Sequence, residues 1–115
     1  QSKIKIADGV FQIESYLKNG AMVTMPTPAS TNITIEKERF YANVGCNSMG
    51  ADWFATGFNV RTLQIAMTEM GCLGEVGKIE IDIAALLARL NRFSVSESQM
   101  HFYENETLLM VMKRK

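Results

Sequence analysis

The chain has 115 residues, of which 47% are apolar and 21% charged, a composition that suits one globular domain and excludes a disordered chain. Twelve basic residues balance twelve acidic ones, so no net charge attracts nucleic acid, and we expect no nucleic-acid partner. The longest apolar run, Ile83 to Ala88, is far shorter than the roughly 20 residues that cross a bilayer, which predicts no transmembrane segment.

The first half of the chain has the period-two alternation of half-buried strands. Val10 to Leu17 places Phe11, Ile13 and Leu17 on one side, with polar residues on the other. Met25-Pro26-Thr27-Pro28 then predicts a loop outside the sheet, because proline removes a ladder donor and restricts the residue before it. Three further strands are predicted, the first two with inward-facing residues at alternate positions: Thr31 to Glu36 (Ile33, Ile35), Arg39 to Val44 (Phe40, Ala42, Val44) and Phe58 to Ile65.

The second half contains one segment with helical period and a closing hairpin. Five apolar residues at i, i+4, i+7, i+8 and i+11 predict an amphipathic helix over about residues 78–92, with Gly77 marking the break before it. Gln99 to Tyr103 and Thr107 to Met112 flank a polar turn and predict a hairpin. The apolar stripe of the helix consists of Ile79, Ile83, Leu86, Leu87 and Leu90, and the side chains expected to face water are Glu80, Asp82 and Arg89.

Together these elements predict a mainly β (α+β) fold. Because only one helix accompanies several short sequential strands, the sheet must cover one face by curling on itself, with the helix as a lid. We therefore expect a small antiparallel β-barrel or half-barrel, with the amphipathic helix of about residues 78–92 packed against it. Residues 1–115 then form a single domain, in which residues 1–9 are a loose N-terminal extension.

The two cysteines lie in a glycine-rich window, since six of the eight glycines fall between Gly45 and Gly77. A disulfide between Cys46 and Cys72 would close a loop of about 26 residues and stabilise the fold by roughly 3.5 kcal/mol. The alternative is two reduced, buried cysteines in a reducing compartment. Zinc would require Cys46, Cys72, His101 and a carboxylate to converge, and because no short ligand spacing supports this, we predict no metal site.

The residues around the cysteines have a structural interpretation. Gly45 offers backbone freedom, and Asn47 is a residue type that tolerates a left-handed conformation and hydrogen-bonds its own turn. Thr68 is expected to bond the backbone near Cys72. We therefore interpret Gly45, Asn47 and Thr68 as a turn motif that holds the cysteine loops, in preference to a reactive site.

Two segments resemble the META (HslJ-like) family. Phe40-Tyr41-Ala42-Asn43-Val44-Gly45-Cys46-Asn47 is similar to the family pattern in which a strand runs into Gly-Cys-Asn, and Ala66-Met67-Thr68-Glu69-Met70-Gly71-Cys72 is similar to its Thr-x-Met-x-Cys segment. The resemblance covers roughly residues 10 to 112. It implies a barrel-like, non-enzymatic domain of bacterial periplasmic, envelope (including lipoprotein) or secreted proteins, loosely tied to heat shock and stress tolerance, and this setting favours the disulfide. A cytoplasmic location is the alternative.

The residues give no sign of catalysis. His101 is the only histidine and lies in a predicted strand, and no nucleophile elbow, phosphate loop or dinucleotide fingerprint occurs. We therefore predict no enzymatic activity, no catalytic residues and no cofactor.

Binding has more support, because eight methionines provide adaptable apolar side chains. Either they pack the core, or they form an apolar surface or cavity lining. The chain is then either a protein-interaction module with an unknown partner, as a monomer or weak dimer, or a carrier of a lipid or small apolar ligand. The residues predicted to form this apolar binding surface are Trp53, Phe54, Met67, Met70, Met100 and Met110.

Overall fold

The structure, a computed structural model, describes residues 9–36, 38–68, 71 and 74–115. Within these residues the chain forms ten strands, one short 3₁₀ turn and one α-helix. The strands are β1 (Gly9–Lys18), β2 (Ala21–Thr24), β3 (Asn32–Glu36), β4 (Arg39–Asn43), β5 (Ser48–Thr56), β6 (Asn59–Thr62), β7 (Ala66–Met67), β8 (Arg92–Val95), β9 (Gln99–Glu104) and β10 (Thr107–Arg114); the helix, α1, is Gly74–Arg89.

The sheet closes into an antiparallel barrel, which confirms the predicted fold class. Neighbouring strands follow the order β10, β9, β8, β6, β5, β4, β3 and β1, and the pairing of β1 with β10 completes the circle. The remaining two strands extend the wall: β2 pairs with the second half of β1, and β7 pairs with the start of β5. The α-helix packs against this barrel. Among the residues described, no helix has the length and apolar character needed to cross a bilayer.

Side chains fill the interior of the barrel. Trp53 is 2% exposed and lies at its centre. Its ring centroid is 6.2 Å from that of Phe40, 5.3 Å from that of Phe93 and 5.7 Å from that of Phe102. Because aromatic rings at these separations gain contact energy beyond simple burial, this cluster fixes four strands of the wall to one another. The helix adds three buried residues to the same core, Ile83, Leu86 and Leu87.

The first predicted strand has nearly the right bounds, but one inward-facing residue is wrong. Phe11 and Ile13 are buried as predicted, whereas Tyr16 is buried in place of Leu17. The pairing with β10 shifts register between Ile13 and Ser15. A β-bulge places an extra residue on one strand, so every side chain after it changes sides.

The proline segment leaves the sheet as predicted. Met25 is still bonded to β1, and the chain then forms the 3₁₀ turn Pro28–Ser30. The buried hydroxyl of Thr31 donates to the Pro28 carbonyl at 2.7 Å and accepts the Ile13 N–H at 2.8 Å. The Thr31 hydroxyl therefore links the 3₁₀ turn to β1. It supplies a hydrogen bond in a segment where the prolines have no N–H to form a strand ladder.

Two predicted strands, over residues 31–36 and 39–44, and the closing hairpin are confirmed with small changes in their ends. The sequence prediction missed β5, the second-longest strand, because Gly50 was assigned to a turn-rich window. In the structure a Cβ at Gly50 would lie 3.3 Å from an Arg39 nitrogen and 3.5 Å from the Phe40 carbonyl. Close approach of neighbouring groups on β4 explains this glycine, and no turn is needed there.

The helix lies earlier in the chain than predicted. It runs from Gly74 to Arg89, so Gly77 is inside it, and the predicted last residues belong to the chain that enters β8. The Asn91 N–H donates to the Tyr103 carbonyl, and the Asn91 carbonyl accepts the Val60 N–H. Because both main-chain groups of Asn91 are bonded to strands of the barrel, the helix does not continue to this residue. The prediction that Glu80 faces water is also wrong, since this residue is 3% exposed.

One seam of the barrel is much narrower than the others. Strands β6 and β8 share a single pair, Asn59 with Arg92. Two main-chain bonds flank it, from Val60 N–H to Asn91 O at 3.0 Å and from Phe93 N–H to Phe58 O at 2.9 Å. Among the described residues no further pair joins β6 to β8 beyond Val60, and a groove lies between the segment after β6 and α1.

Candidate functional site

A buried polar cluster joins the Gly-Cys-Asn turn to the helix. The carboxylate of Glu80 accepts the Asn47 N–H at 2.6 Å through one oxygen and the Asn47 Nδ2–H at 2.7 Å through the other. The Thr68 hydroxyl donates to Asn47 Oδ1 at 2.8 Å and accepts the Ser48 N–H at 3.0 Å. We call Asn47, Thr68 and Glu80 the Asn47 cluster. Because both oxygens of Glu80 face N–H donors, the cluster can hold this carboxylate in the interior.

Gly45 allows the helix to approach this turn closely. Its φ angle is +131°, and a Cβ on it would lie 3.3 Å from Cγ1 of Val76, in the first turns of α1. The Gly45 N–H donates to Asn43 Oδ1 at 3.0 Å, which fixes the turn from the side of β4. A side chain here would meet both an unfavourable backbone conformation and the helix.

The three positions of the predicted turn motif, Gly45, Asn47 and Thr68, are brought together beside α1. Two of the predicted roles are wrong: Asn47 does not have a left-handed backbone, and the Thr68 hydroxyl bonds Asn47 and the Ser48 N–H next to Cys46 rather than backbone near Cys72. The role that sequence reasoning missed is that of Glu80. The sequence does contain a cue for this role, because Glu80 follows the apolar Ile79 and so lies at the edge of the apolar stripe of the helix. The sequence does not show which hydrogen-bond donor the Glu80 carboxylate would contact.

The predicted disulfide remains a prediction, because Cys72 lies outside the described residues. Cys46 is half-buried next to Asn47. Thr68 is held beside Ser48 by the bond from its N–H to the Ser48 carbonyl at 3.0 Å. Cys72 follows Thr68 by four positions, and such a chain spans at most roughly 14 Å. The position of Thr68 beside Ser48 is thus compatible with a pairing of Cys72 with Cys46.

The predicted apolar surface does not form as a unit. Trp53, Met100 and Met110 are at most 2% exposed and belong to the core, so their placement on a binding surface is wrong. They occupy inward positions of β5, β9 and β10, where the period of two directs them into the barrel. Two other members lie outside the core: Phe54 is half-buried on the outer face of β5, and Met67 is 41% exposed. Met70 lies outside the described residues.

Met67 contributes to an apolar groove between the barrel wall and the helix. The groove has a volume of about 520 Å³. One wall is the segment that follows β6, and the other is the helix face of Ala84, Ala85 and Ala88. Ile81 is 67% exposed and lies one turn before Ala85 on the helix. The residues lining the groove are Thr62, Leu63, Gln64, Ile65, Met67, Ala84, Ala85 and Ala88.

Sequence reasoning found only Met67 of this lining. Alanine has a high helix propensity, which accounts for three of them in α1, but small side chains on an exposed face also leave room beside the helix. Leu63 is 46% exposed at the opposite wall, which is unusual for a leucine next to a strand. The groove thus combines exposed apolar side chains with space.

The lone histidine lies in a polar row on the outer face of β8 and β9. Its Nδ1 is 3.4 Å from the Tyr103 hydroxyl, and its Nε2 is 3.3 Å from Gln99 Oε1. Ser94 contacts the same tyrosine hydroxyl at 3.4 Å and makes no bond to His101 among the described residues. The Ser94 hydroxyl and the His101 ring therefore do not form the hydrogen-bonded nucleophile–base pair by which an activated serine acts.

No group of three or more His, Cys, Asp or Glu side chains that could hold a metal ion occurs within residues 9–36, 38–68, 71 and 74–115. His101, one of the four ligands that zinc would require, is instead in contact with Tyr103 and Gln99.

Comparisons with known proteins agree with this architecture. An NMR structure of a protein from Burkholderia xenovorans is similar with a TM-score of 0.79 at 15% identity, covering 99% of this chain and 86% of that one. A second NMR structure has a TM-score of 0.66 at 18% identity and covers 96% and 92% of the two chains. These likenesses concern the fold alone. No curated protein matches the chain. The family model of the META domain matches residues 4–115, essentially the whole length. The chain therefore belongs to the META domain family.

Proposed function

We propose that this META domain is a non-enzymatic protein-interaction module that binds its partner in the groove between α1 and the segment after β6. The observation that carries the proposal is the placement of apolar surface. Leu63 and Met67, which are 46% and 41% exposed, line one groove, and Ile81, which is 67% exposed, lies one turn before Ala85 of its helix wall. Exposed apolar residues that cluster on a soluble domain mark interaction sites, whereas scattered ones carry no such meaning.

The packed interior favours an interaction module over a carrier of lipid or another small apolar ligand. Carriers with a barrel fold hold their ligand inside the barrel, where side chains leave a cavity. Here Trp53 and three aromatic neighbours occupy the centre of the barrel. The methionines at positions 100, 110 and 112 are 0% exposed and fill the space along β9 and β10.

The setting that we propose for this module is the bacterial envelope or the secreted fraction, with a link to stress tolerance, as the family resemblance implies. A disulfide between Cys46 and Cys72 belongs to the same proposal, since it forms in oxidising compartments. The module acts as a monomer or weak dimer. Fastening of the turn by a disulfide would reinforce the Asn47 cluster, which already anchors α1 next to the groove.

Site-specific photo-crosslinking in living cells tests the proposal. A benzophenone amino acid replaces Leu63 or Ala85 in the groove, and replaces Lys113 on the exposed wall of β10 as the matched control. We expect one and the same polypeptide to be crosslinked from both groove positions and not from residue 113. Equal labelling from all three positions, or no adduct from either groove position, would contradict the proposal.

Native mass spectrometry of the protein purified without denaturation provides the complementary measurement. The interaction module is expected at the mass of the bare chain. A copurified lipid of defined mass would support the carrier and overturn the module.

A further inference from the structure

The strand edge that faces the groove has main-chain groups directed away from the sheet. Along an antiparallel strand these groups alternate between the two neighbours. The Leu63 N–H donates to the Asp52 carbonyl of β5 at 3.3 Å, whereas the Val60 N–H donates to Asn91 on the other side. Thr62 therefore faces the same side as Val60, away from β5. Trp53, the residue of β5 paired with Thr62, donates its N–H to the Glu38 carbonyl on the opposite side of β5. Trp53 and Thr62 are therefore not bonded to each other, which agrees with the main chain of Thr62 facing away from β5.

This edge is left without a neighbouring strand. Asn59 of β6 pairs with Arg92, and the strands are antiparallel, so Val60 lies opposite Asn91 and the residues after Val60 would have to pair with residues before Asn91. Those residues lead into the end of α1. A helix cannot supply a ladder, so the pairing stops after Val60. Within residues 9–36, 38–68, 71 and 74–115, no hydrogen-bond partner is found for the main chain of Thr62, Gln64 or Ile65.

We propose that the groove binds an extended segment of a partner polypeptide, which adds as a strand to the edge formed by Thr62, the last residue of β6, and by residues 63–65 that follow it. The inference rests on the proposed function and names the conformation of the partner. The edge would supply hydrogen bonds along one side of the segment, and the side chains that point to one face of the extended sheet would contact the alanine face of α1. In strand addition the main chain provides affinity, and pockets for alternate side chains provide specificity.

The hydrogen-bonding groups of the edge select this occupant. A polypeptide backbone offers donors and acceptors at the spacing of the Thr62–Ile65 main chain, whereas an acyl chain offers neither. Covering the Thr62 N–H with a hydrocarbon would leave this donor buried and unpaired, which is unfavourable. A single strand lies only about 4.8 Å from its neighbour, which makes an extended segment the smallest element that can pair with this edge.

The lining also defines the partner sequence. Four residues of strand, enough to follow the edge from Thr62 to Ile65, span about 13 Å. The side chains of alternate residues would point toward the wall formed by Ala84, Ala85 and Ala88, which carries no charge and leaves space. The expected segment is therefore short and extended, with apolar residues at alternate positions and no proline where its N–H meets the edge.

The experiment uses a displayed library of random 12-residue peptides, selected on the purified chain alone and then measured against Ala85→Trp. The tryptophan fills the groove from an exposed helix position, and Lys113→Trp is the matched control on the wall of β10. Selected peptides should bind Lys113→Trp as tightly as the original chain. They should bind Ala85→Trp at least about tenfold more weakly, as expected when backbone bonds worth about 1 kcal/mol each are lost. Circular dichroism verifies that both variants are folded.

Amide hydrogen exchange then distinguishes strand addition from contact through side chains alone. In the free protein the Thr62 amide should exchange faster than the Leu63 amide, which is bonded to Asp52. A bound peptide should slow exchange at Thr62 at least about tenfold and leave Leu63 little changed. A single N-methyl group on the peptide should abolish binding at the residue that faces Thr62, and should be tolerated at the next residue along.

Each outcome decides one of the two proposals. Peptides that bind in the groove without protecting Thr62 would overturn strand addition and leave the interaction module in place. If the crosslinks appear in cells but the selection yields no peptide whose binding is weakened by Ala85→Trp, strand addition is likewise overturned and the interaction module stays in place. Concentration-dependent dimerisation that buries Thr62 would assign the edge to a second copy, and a copurified lipid would assign the groove to an acyl chain; either result overturns the inference. Absence of the crosslinks overturns the proposed function itself.

Discussion

Replacing Glu80 by glutamine should destabilise the domain by about 3 kcal/mol. The two side chains have nearly the same shape, so the change isolates hydrogen bonding. In the native structure each carboxylate oxygen accepts one N–H group of Asn47, at 2.6 and 2.7 Å. Glutamine has a single acceptor oxygen, and whichever way its amide is oriented, one of the Asn47 donors faces an NH₂ group. A buried bond to a charged group contributes about 1.5–3 kcal/mol, and the remaining bond also weakens when the charge is removed.

Urea unfolding followed by circular dichroism measures this change. For a domain of this size, a loss of about 3 kcal/mol lowers the melting temperature by roughly 10 °C, and the urea dependence of the unfolding free energy should stay the same. Glu106→Gln, at an exposed turn position, is the matched control and should change stability by less than about 0.5 kcal/mol. If Glu80→Gln is as stable as this control, the carboxylate is not what holds α1 to the Asn47 turn.

A double-mutant cycle sharpens the result. Asn47→Ala removes the donor amide and also the acceptor of the Thr68 hydroxyl. Because Glu80 and Asn47 act on each other, the double variant should be more stable than the sum of the single losses implies, by about 1–2 kcal/mol. Strict additivity of the two losses would refute the assignment of these bonds to one cluster.

Three further measurements test other features of the structure. Gly45→Ala should lower the unfolding free energy by about 1–3 kcal/mol in urea, because φ at this position is +131° and a Cβ would press on the helix. The control Gly57→Asn, at a φ of +64° in open space, should lower it by less than about 1 kcal/mol. Equal losses for the two variants would contradict the steric argument. Thiol titration of the denatured, unreduced protein should detect no free thiol if Cys46 and Cys72 are bridged, and finding two would remove the disulfide from the proposal. Burial raises the pKa of Tyr16 above its usual value. The unfolded tyrosine therefore loses its proton first, and the stability that Tyr16 contributes is complete below about pH 10 and is lost as the pH rises through the raised pKa. Unfolding measurements above pH 10 should accordingly show a smaller loss for Tyr16→Phe than for the original chain, and parallel curves would refute the shift.

Local patterns predicted the parts of the fold that depend on neighbouring residues. Alternation identified β3 and β4, because their inward residues follow one period without interruption. It assigned Leu17 wrongly, since a bulge in β1 is created by the pairing with β10 at the far end of the chain. No pattern near Leu17 contains that information.

The site was predictable to a smaller extent, for the same reason. Gly45, Asn47 and Thr68 were identified through their residue types and the family resemblance, whereas Glu80 acquires its role only when α1 is placed against the turn. The groove also depends on two distant segments. Neither Ala85 nor Leu63 indicates a groove by its residue type alone. The groove forms between them because α1, and not another strand, lies beside the segment after β6.

The closure of the barrel by its first and last strands has a consequence for synthesis. Phe11 pairs with Arg114, and the Lys115 N–H donates to the Val10 carbonyl. These partners are about 100 residues apart, so a ribosome adding about 5–20 residues per second needs roughly 5–20 s to produce the second after the first. During that interval the side of β1 that later meets β10 has no partner, although β2 and β3 can already pair with the other side. The nascent barrel is thus an open sheet, and until β10 has been made its β1 edge can pair with another chain.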